Sequence, residues 1–106
     1  MKLLNIDYVP GKEIEVLEIV KGTVVHTKNV GRDFMAAMKT LVGGELVGYT
    51  QMLNEARQIA TKRMVDEAEK LGADAVINVR YGTSSVMSGA AEVIVYGTAV
   101  KFVEKQ

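Results

Sequence analysis

Between Tyr49 and Leu71 the apolar residues Leu53, Ala56, Ala60, Met64 and Leu71 recur at helical spacing, and Met52, Ile59, Val65 and Ala68 widen the stripe. This period predicts an amphipathic helix of about 23 residues, roughly 35 Å long. Its polar face carries Glu55, Arg57, Lys62, Arg63, Asp66, Glu67, Glu69 and Lys70, with Asp66 and Lys70 at i,i+4 spacing. Gly72 suits the left-handed position that ends a helix. Residues 75–81 then follow as a strand, with Ala75, Ile77, Val79 and Tyr81 on one side and Val76, Asn78 and Arg80 on the other.

Upstream, Pro10-Gly11 marks a turn, and the Val- and Ile-rich run Glu13 to His26 reads as strand. Ile14, Val16 and Val20 alternate there with Glu13, Glu15, Leu17 and Ile19. Gly22, in its middle, signals either a bulge in one bent strand or the turn of a hairpin. Phe34, Met35, Met38, Leu41 and Val42 recur at three and four, which predicts a short helix capped near Asn29 or Asp33 and stopped by Gly43-Gly44. Glu45 to Gly48 reads as a link and Gly82 to Ala91 as a small, polar loop. The last strand, Glu92 to Val103, is apolar on both faces: Val93, Val95, Ala99 and Val103 alternate with Ile94, Tyr96, Val100 and Phe102. The expected fold is α+β, a small β-sheet covered by one short and one long helix in the order β-α-α-β-β. Two helices cover one face of such a sheet, so the second apolar face implies a partner, most simply another copy.

Length and composition narrow the picture. The 106 residues, 48% of them hydrophobic, fit one domain with a core of its own. Thirteen basic and thirteen acidic side chains cancel, which removes the electrostatic footprint of a nucleic-acid binder and leaves self-association unopposed. No cysteine is present, so no disulfide, thiolate nucleophile or zinc ribbon can be built. Asn5 and Asp7 interrupt the first apolar run, and no apolar run approaches the ~20 residues that span a bilayer. The reading is a cytoplasmic domain with neither membrane nor nucleic acid as partner.

The motifs Asn29-Val-Gly-Arg-Asp33, Val42-Gly-Gly-Glu45, Tyr49-Thr50, Ala56-Arg57, Leu71-Gly-Ala-Asp-Ala-Val76, the stretch Ser85 to Glu92 and Tyr96-Gly-Thr-Ala-Val100 occur in this order. In order and spacing they resemble the YbjQ family, also called UPF0145, from about Asn5 to Val103. The resemblance implies a small α+β subunit distantly similar to dodecin subunits, assembled as a ring, a pentamer. The family is labelled heavy-metal-binding and has no assigned biochemical role or catalytic residues.

The residues supply little for a metal. Zinc and softer metals want thiolate or imidazole, and His26 is the one histidine. At a strand end it reads as a surface histidine; the alternative is symmetry, with several copies of His26 meeting at a ring axis. Met35, Met38, Met52 and Met64 fall on helical stripes and read as core, leaving Met87 unassigned. Glu13, Glu15 and Glu18 are spread along a strand without the turn of a calcium loop. Gly43, Gly44 and Gly48 precede a helix as in anion sites, but no Gly-Lys-Ser/Thr follows, and helix termination explains them. Ser84, Ser85 and Ser88 lack a nucleophile elbow. Arg32, Asp33, Arg57, Arg80 and Glu92 are the charged residues inside the family motifs; they line a pocket or, as ion pairs, fix subunit register. The reading is a homo-oligomeric binding or assembly module with no catalytic activity and no cofactor. A metal-binding protein is the alternative, a small-molecule carrier the next, and Val95 and Tyr96 mark the two faces of the assembly strand.

Overall fold

The computed structural model describes residues 1–26, 46–87 and 90–104. These form an α+β unit of four strands and one helix: β1 (Lys2–Leu3), β2 (Glu13–His26), α1 (Leu46–Lys70), β3 (Ala75–Met87) and β4 (Ala90–Val103). The short helix expected around Phe34 to Val42 lies outside the described residues, as do Arg32 and Asp33. The strands make one mixed sheet in the order β1-β3-β4-β2. β4 is antiparallel to both β2 and β3, and β1 is parallel to β3.

α1 begins three residues earlier than the periodicity suggests, taking in Leu46 to Gly48. Its end is as expected. Gly72 has φ +76°, its N–H donates to Glu69 O at 3.0 Å, and Ala73 N–H donates to Ala68 O at 3.1 Å. That pair of bonds satisfies carbonyls the last turn would otherwise leave open. The buried stripe is narrower than the sequence suggests: Ala56, Ala60, Met64 and Ala68 are fully buried, whereas Ile59 and Leu71 are exposed. Three alanines in that stripe let the helix axis approach the sheet closely. β2 answers with Gly22, where a Cβ would collide with Ala60 O and come within 2.7 Å of Met64 N. Gly22 is therefore neither bulge nor turn. β2 is one strand, and Gly22 is the point where the helix rests on it.

Two bulges correct the expected strand faces, because one extra residue moves everything beyond it to the other side. In β2 the register shifts between Val16 and Glu18, so Ile14 and Val16 lie on the face away from the helix while Leu17 and Val20 pack beneath it. In β3 it shifts between Ile77 and Arg80, where Asn78 takes φ +53° opposite Gly97. Ala75 and Ile77 thus belong to the far face, and Val76, Val79 and Tyr81 to the helix side. Gly97 makes room: a Cβ there would come within 2.6 Å of Val76 Cγ1. The stretch read as a loop is largely strand, since β3 continues to Met87 and β4 resumes at Ala90.

The N-terminal segment, expected only to lead into a turn, closes part of the second face. Beyond β1, Leu4 N–H donates to Val76 O at 2.9 Å, Val79 N–H to Leu4 O at 2.9 Å and Asn78 N–H to Ile6 O at 3.0 Å. The chain then crosses from the β3 edge to the β2 edge, burying Val9 against Ala75, Ile77 and Val100, with Leu4, Ile14 and Phe102 partly buried around them. There are consequently two cores. The larger lies under α1 and includes Val20, Val76, Val93, Val95 and Ala99. The smaller lies under the N-terminal segment and covers only the half of that face nearest Val100.

Candidate functional site

Cross-strand register orders the uncovered half of the far face into rows. Ile19, Thr98 and Ile77 form one row, Lys21, Tyr96 and Arg80 the next, then Thr23, Ile94 and Gly82, and finally Val25, Glu92 and Ser84. Ile19 is 71% exposed, Val16 63%, Val25 50% and Tyr96 45%. Val95, the neighbour of Tyr96, points to the helix side and is fully buried. The assembly strand therefore has the two faces its alternation predicts, one sealed by α1 and one open beyond Val100.

A second feature lies on the helix side. α1 rests over β2 and β4: Arg63 donates to Thr23 O at 2.6 Å on one flank, while Thr61 and Tyr81 share a hydroxyl hydrogen bond of 2.9 Å on the other. Between that second flank and β3 runs an open groove of about 630 Å³, lined by Asn54, Arg57, Gln58, Thr61, Lys62, Val65 and Tyr81. Arg57 Nη1 donates to Asn54 Oδ1 at 2.9 Å, and Lys62 pairs with Asp66 at 3.2 Å. The observed i,i+4 pair is thus Lys62–Asp66, one turn before the Asp66–Lys70 pair expected. A smaller hollow of about 330 Å³ at the opposite end is lined by Gly11, Lys12, Glu13, Phe102, Val103 and Glu104, with Lys12 Nζ 5.4 Å from the centre of the Phe102 ring.

The charged motif residues do not converge. Arg57 lines the helix-side groove. Arg80 donates to Asn5 O at 3.1 Å and so holds the N-terminal segment around the β3 bulge. Glu92 is half-buried in the last row of the far face. Asp74, which no sequence pattern singled out, fastens the sheet to the helix end. Its carboxylate accepts the Phe102 N–H at 2.8 Å, and its own N–H donates to Val100 O at 2.8 Å. Together with Gly72 it joins helix end to sheet, which accounts for much of the Leu71-to-Val76 motif. The motif's run of small residues was the available signal, though no spacing rule names Asp74 as a clamp.

His26 ends β2 in register with Ala91, which is in register with Ser85. No carboxylate belongs to that row; Glu92 occupies the neighbouring one. Among the described residues no three of His, Cys, Asp and Glu come together as a metal cluster. Glu13, Glu15 and Glu18 are exposed along β2, and the bulge interrupts their spacing. Those donors do not fit a thiophilic metal, which wants several thiolate or imidazole ligands around one point. Also among the described residues, no helix is long and apolar enough to cross a membrane.

Comparison with known proteins bears on the whole chain. The model of the YbjQ family, described as "Putative heavy-metal-binding", matches residues 1–103. The chain belongs to the YbjQ family. A UPF0145 protein of Clostridium novyi (strain NT) is 65% identical over 101 residues, covering 95% of this chain and 98% of the relative. Another, from Alkaliphilus metalliredigens (strain QYMF), is 61% identical over 97% of this chain and the whole of the relative. A crystal structure of a DUF74-family protein of unknown function from Pediococcus pentosaceus ATCC 25745 superposes with a TM-score of 0.68 at 16% identity, covering 97% of this chain and 98% of the other. At that identity the likeness is one of fold. Within the YbjQ chain, the two features that the packing of the subunit does not explain are the open half of the far face and the groove beside Tyr81.

Proposed function

We propose that this YbjQ protein is a self-assembling module, without catalytic activity of its own, whose subunits close into a ring by covering the open half of the far sheet face. The observation that carries the reading is that face: Val16, Ile19, Val25, Ile94 and Tyr96 form apolar surface on a sheet whose other face is sealed by α1. Burying apolar surface is worth roughly 25 cal/mol per Å², and monomers rarely leave a large contiguous patch in water. The zero net charge adds no long-range repulsion between copies. Five copies is the ring size that the family resemblance implies.

The test separates the two faces of β4. Tyr96→Lys places a cation on the open face and is expected to leave the circular dichroism spectrum unchanged while shifting sedimentation toward smaller species. Val95→Lys buries an unpaired charge under α1 and is expected to lose the fold. A monomeric wild type, or an assembled Tyr96→Lys variant sedimenting as the wild type does, overturns the reading.

A further inference from the structure

We infer that the ring is joined edge to edge, the outer edge of β2 in one copy pairing with the outer edge of β3 in the next, so that the sheet continues from subunit to subunit and Ile59 of the next copy enters the groove beside Tyr81. This rests on the self-assembly reading and specifies its geometry.

Three observations lead there. First, both sheet edges are open at the same end. Among the described residues β2 has no partner on its outer side, and β1 pairs with β3 only at Ala75 and Val76, its extension reaching Val79. From Arg80 to Met87 the outer edge of β3 is therefore unpaired among those residues. On the other side, β2 keeps an uninterrupted register from Glu18 to His26. Unpaired strand edges of that length are templates for another strand.

Second, the two open edges are level and co-directional. Both strands are antiparallel to β4, hence parallel to one another, and Lys21 lies level with Arg80 through Tyr96 and Val25 level with Ser84 through Glu92. A contact between two different patches closes into a ring only if each copy is related to the last by rotation with no net rise. Level, parallel edges meet that condition for an axis along the strands. Edges offset along the strands would instead build a helical filament.

Third, the helix layer is spaced for it. With strands about 4.8 Å apart, a repeat of β2, β4 and β3 advances roughly 14 Å, whereas a helix with its side chains is about 10–12 Å across. Consecutive helices would thus leave a narrow channel floored by β3, which is where the groove and Tyr81 lie. The flank of α1 facing the outer edge of β2, identified by Arg63 reaching Thr23 O, also carries Ile59, 44% exposed, and Glu55 one turn earlier. Rotation keeps Ile59 of the next copy level with Arg57 and Thr61 of this one. It would bring an apolar side chain to Val65 and Tyr81, and the carboxylate of Glu55 toward Arg57.

Because the chain has no cysteine, cross-linking gives a clean test. The double variants Val25→Cys/Ser84→Cys and Thr23→Cys/Ser84→Cys place thiols on the two facing edges, since disulfides need Cα atoms about 4.4–6.8 Å apart. Mild oxidation is expected to give a ladder of covalent dimers, trimers and larger species from at least one double variant, while each single variant stays uncross-linked. Circular dichroism and sedimentation of the reduced variants confirm that they fold and assemble. Separately, Ile59→Glu, at a position exposed within the subunit, should keep its helical signal and raise the concentration at which the assembly dissociates about tenfold or more. An assembled wild type with no ladder from either double variant, or a covalent dimer from Val25→Cys alone, overturns edge pairing while leaving self-assembly standing. Unchanged assembly of Ile59→Glu overturns the seating of Ile59, and a monomeric wild type overturns both the inference and the reading beneath it.

Discussion

Gly22 shows what a single residue decides in this fold. With no side chain it lets α1 sit on β2 at a separation where a Cβ would overlap Ala60 O, and Ala56, Ala60 and Ala68 supply the matching shallow stripe. Gly22→Val is therefore expected to lower the stability by at least about 1–3 kcal/mol, the range for overpacking a core, because the clash is with helix backbone that cannot rotate away. Ala60→Asp should cost several kcal/mol by burying an unpaired carboxylate, whereas exposed Glu69→Ala should stay within ~0.5 kcal/mol. Urea denaturation of the three variants checks this, and equal midpoints would show that the buried face is misassigned. Ala60 was legible from periodicity alone. Gly22 was not, since a glycine in a β-rich run is equally compatible with a bulge, a turn or a close approach. Only knowledge of what crosses the strand separates them, although four-residue alanine spacing opposite a strand glycine is the pattern to look for.

Among the elements, α1 and β4 were legible because long regular segments repeat their period many times. β2 and β3 were legible as strands but not as faces, because each carries a bulge and strict alternation propagates the wrong side beyond it. The bulge in β3 makes a specific demand on Asn78. Its φ of +53° suits glycine and is tolerated by asparagine, but opposes a β-branched side chain. Asn78→Val is thus expected to destabilise by about 1–3 kcal/mol, and Asn78→Gly to remain within about 1 kcal/mol of the wild type, measured by thermal or urea unfolding. Valine is otherwise a favourable strand residue, so a stabilised Asn78→Val would show that the bulge is not required. The tip of the β3–β4 hairpin escaped the sequence reading for a different reason. Serines, glycines and alanines carry a weak strand preference, and cross-strand pairing with β2 and β3 overrides it. The N-terminal segment escaped because its partners, Val76, Ile77 and Val100, are more than sixty residues away in the chain.

At the scale of the whole molecule, the question the family description raises is where a metal could sit. The two-faced character of β4 was readable in sequence, but the positions of the charged motif residues were not, since Arg57, Arg80 and Glu92 are distributed by tertiary contacts to a groove, a backbone clamp and an open sheet face. A subunit with no thiolate and one imidazole offers a thiophilic metal a single ligand, whereas a stable site needs about four. Assembly is the one way to multiply that ligand. In a ring with the strands along the axis, every His26, at the distal end of β2, stands at the same height, but at a distance from its copies set by the ring radius. With one strand spacing of about 4.8 Å and three strands per copy, successive His26 backbones lie roughly 14 Å apart along the sheet, well beyond the span of two imidazoles on one ion at about 2 Å each. Untagged protein desalted from buffer is therefore expected to retain no stoichiometric zinc, copper or cadmium by elemental analysis, and His26→Ala to match the wild type. Metal retained at one per subunit and lost in His26→Ala would show instead that the histidines converge, and with them that the strands are inclined inward at that end instead of running along the ring axis.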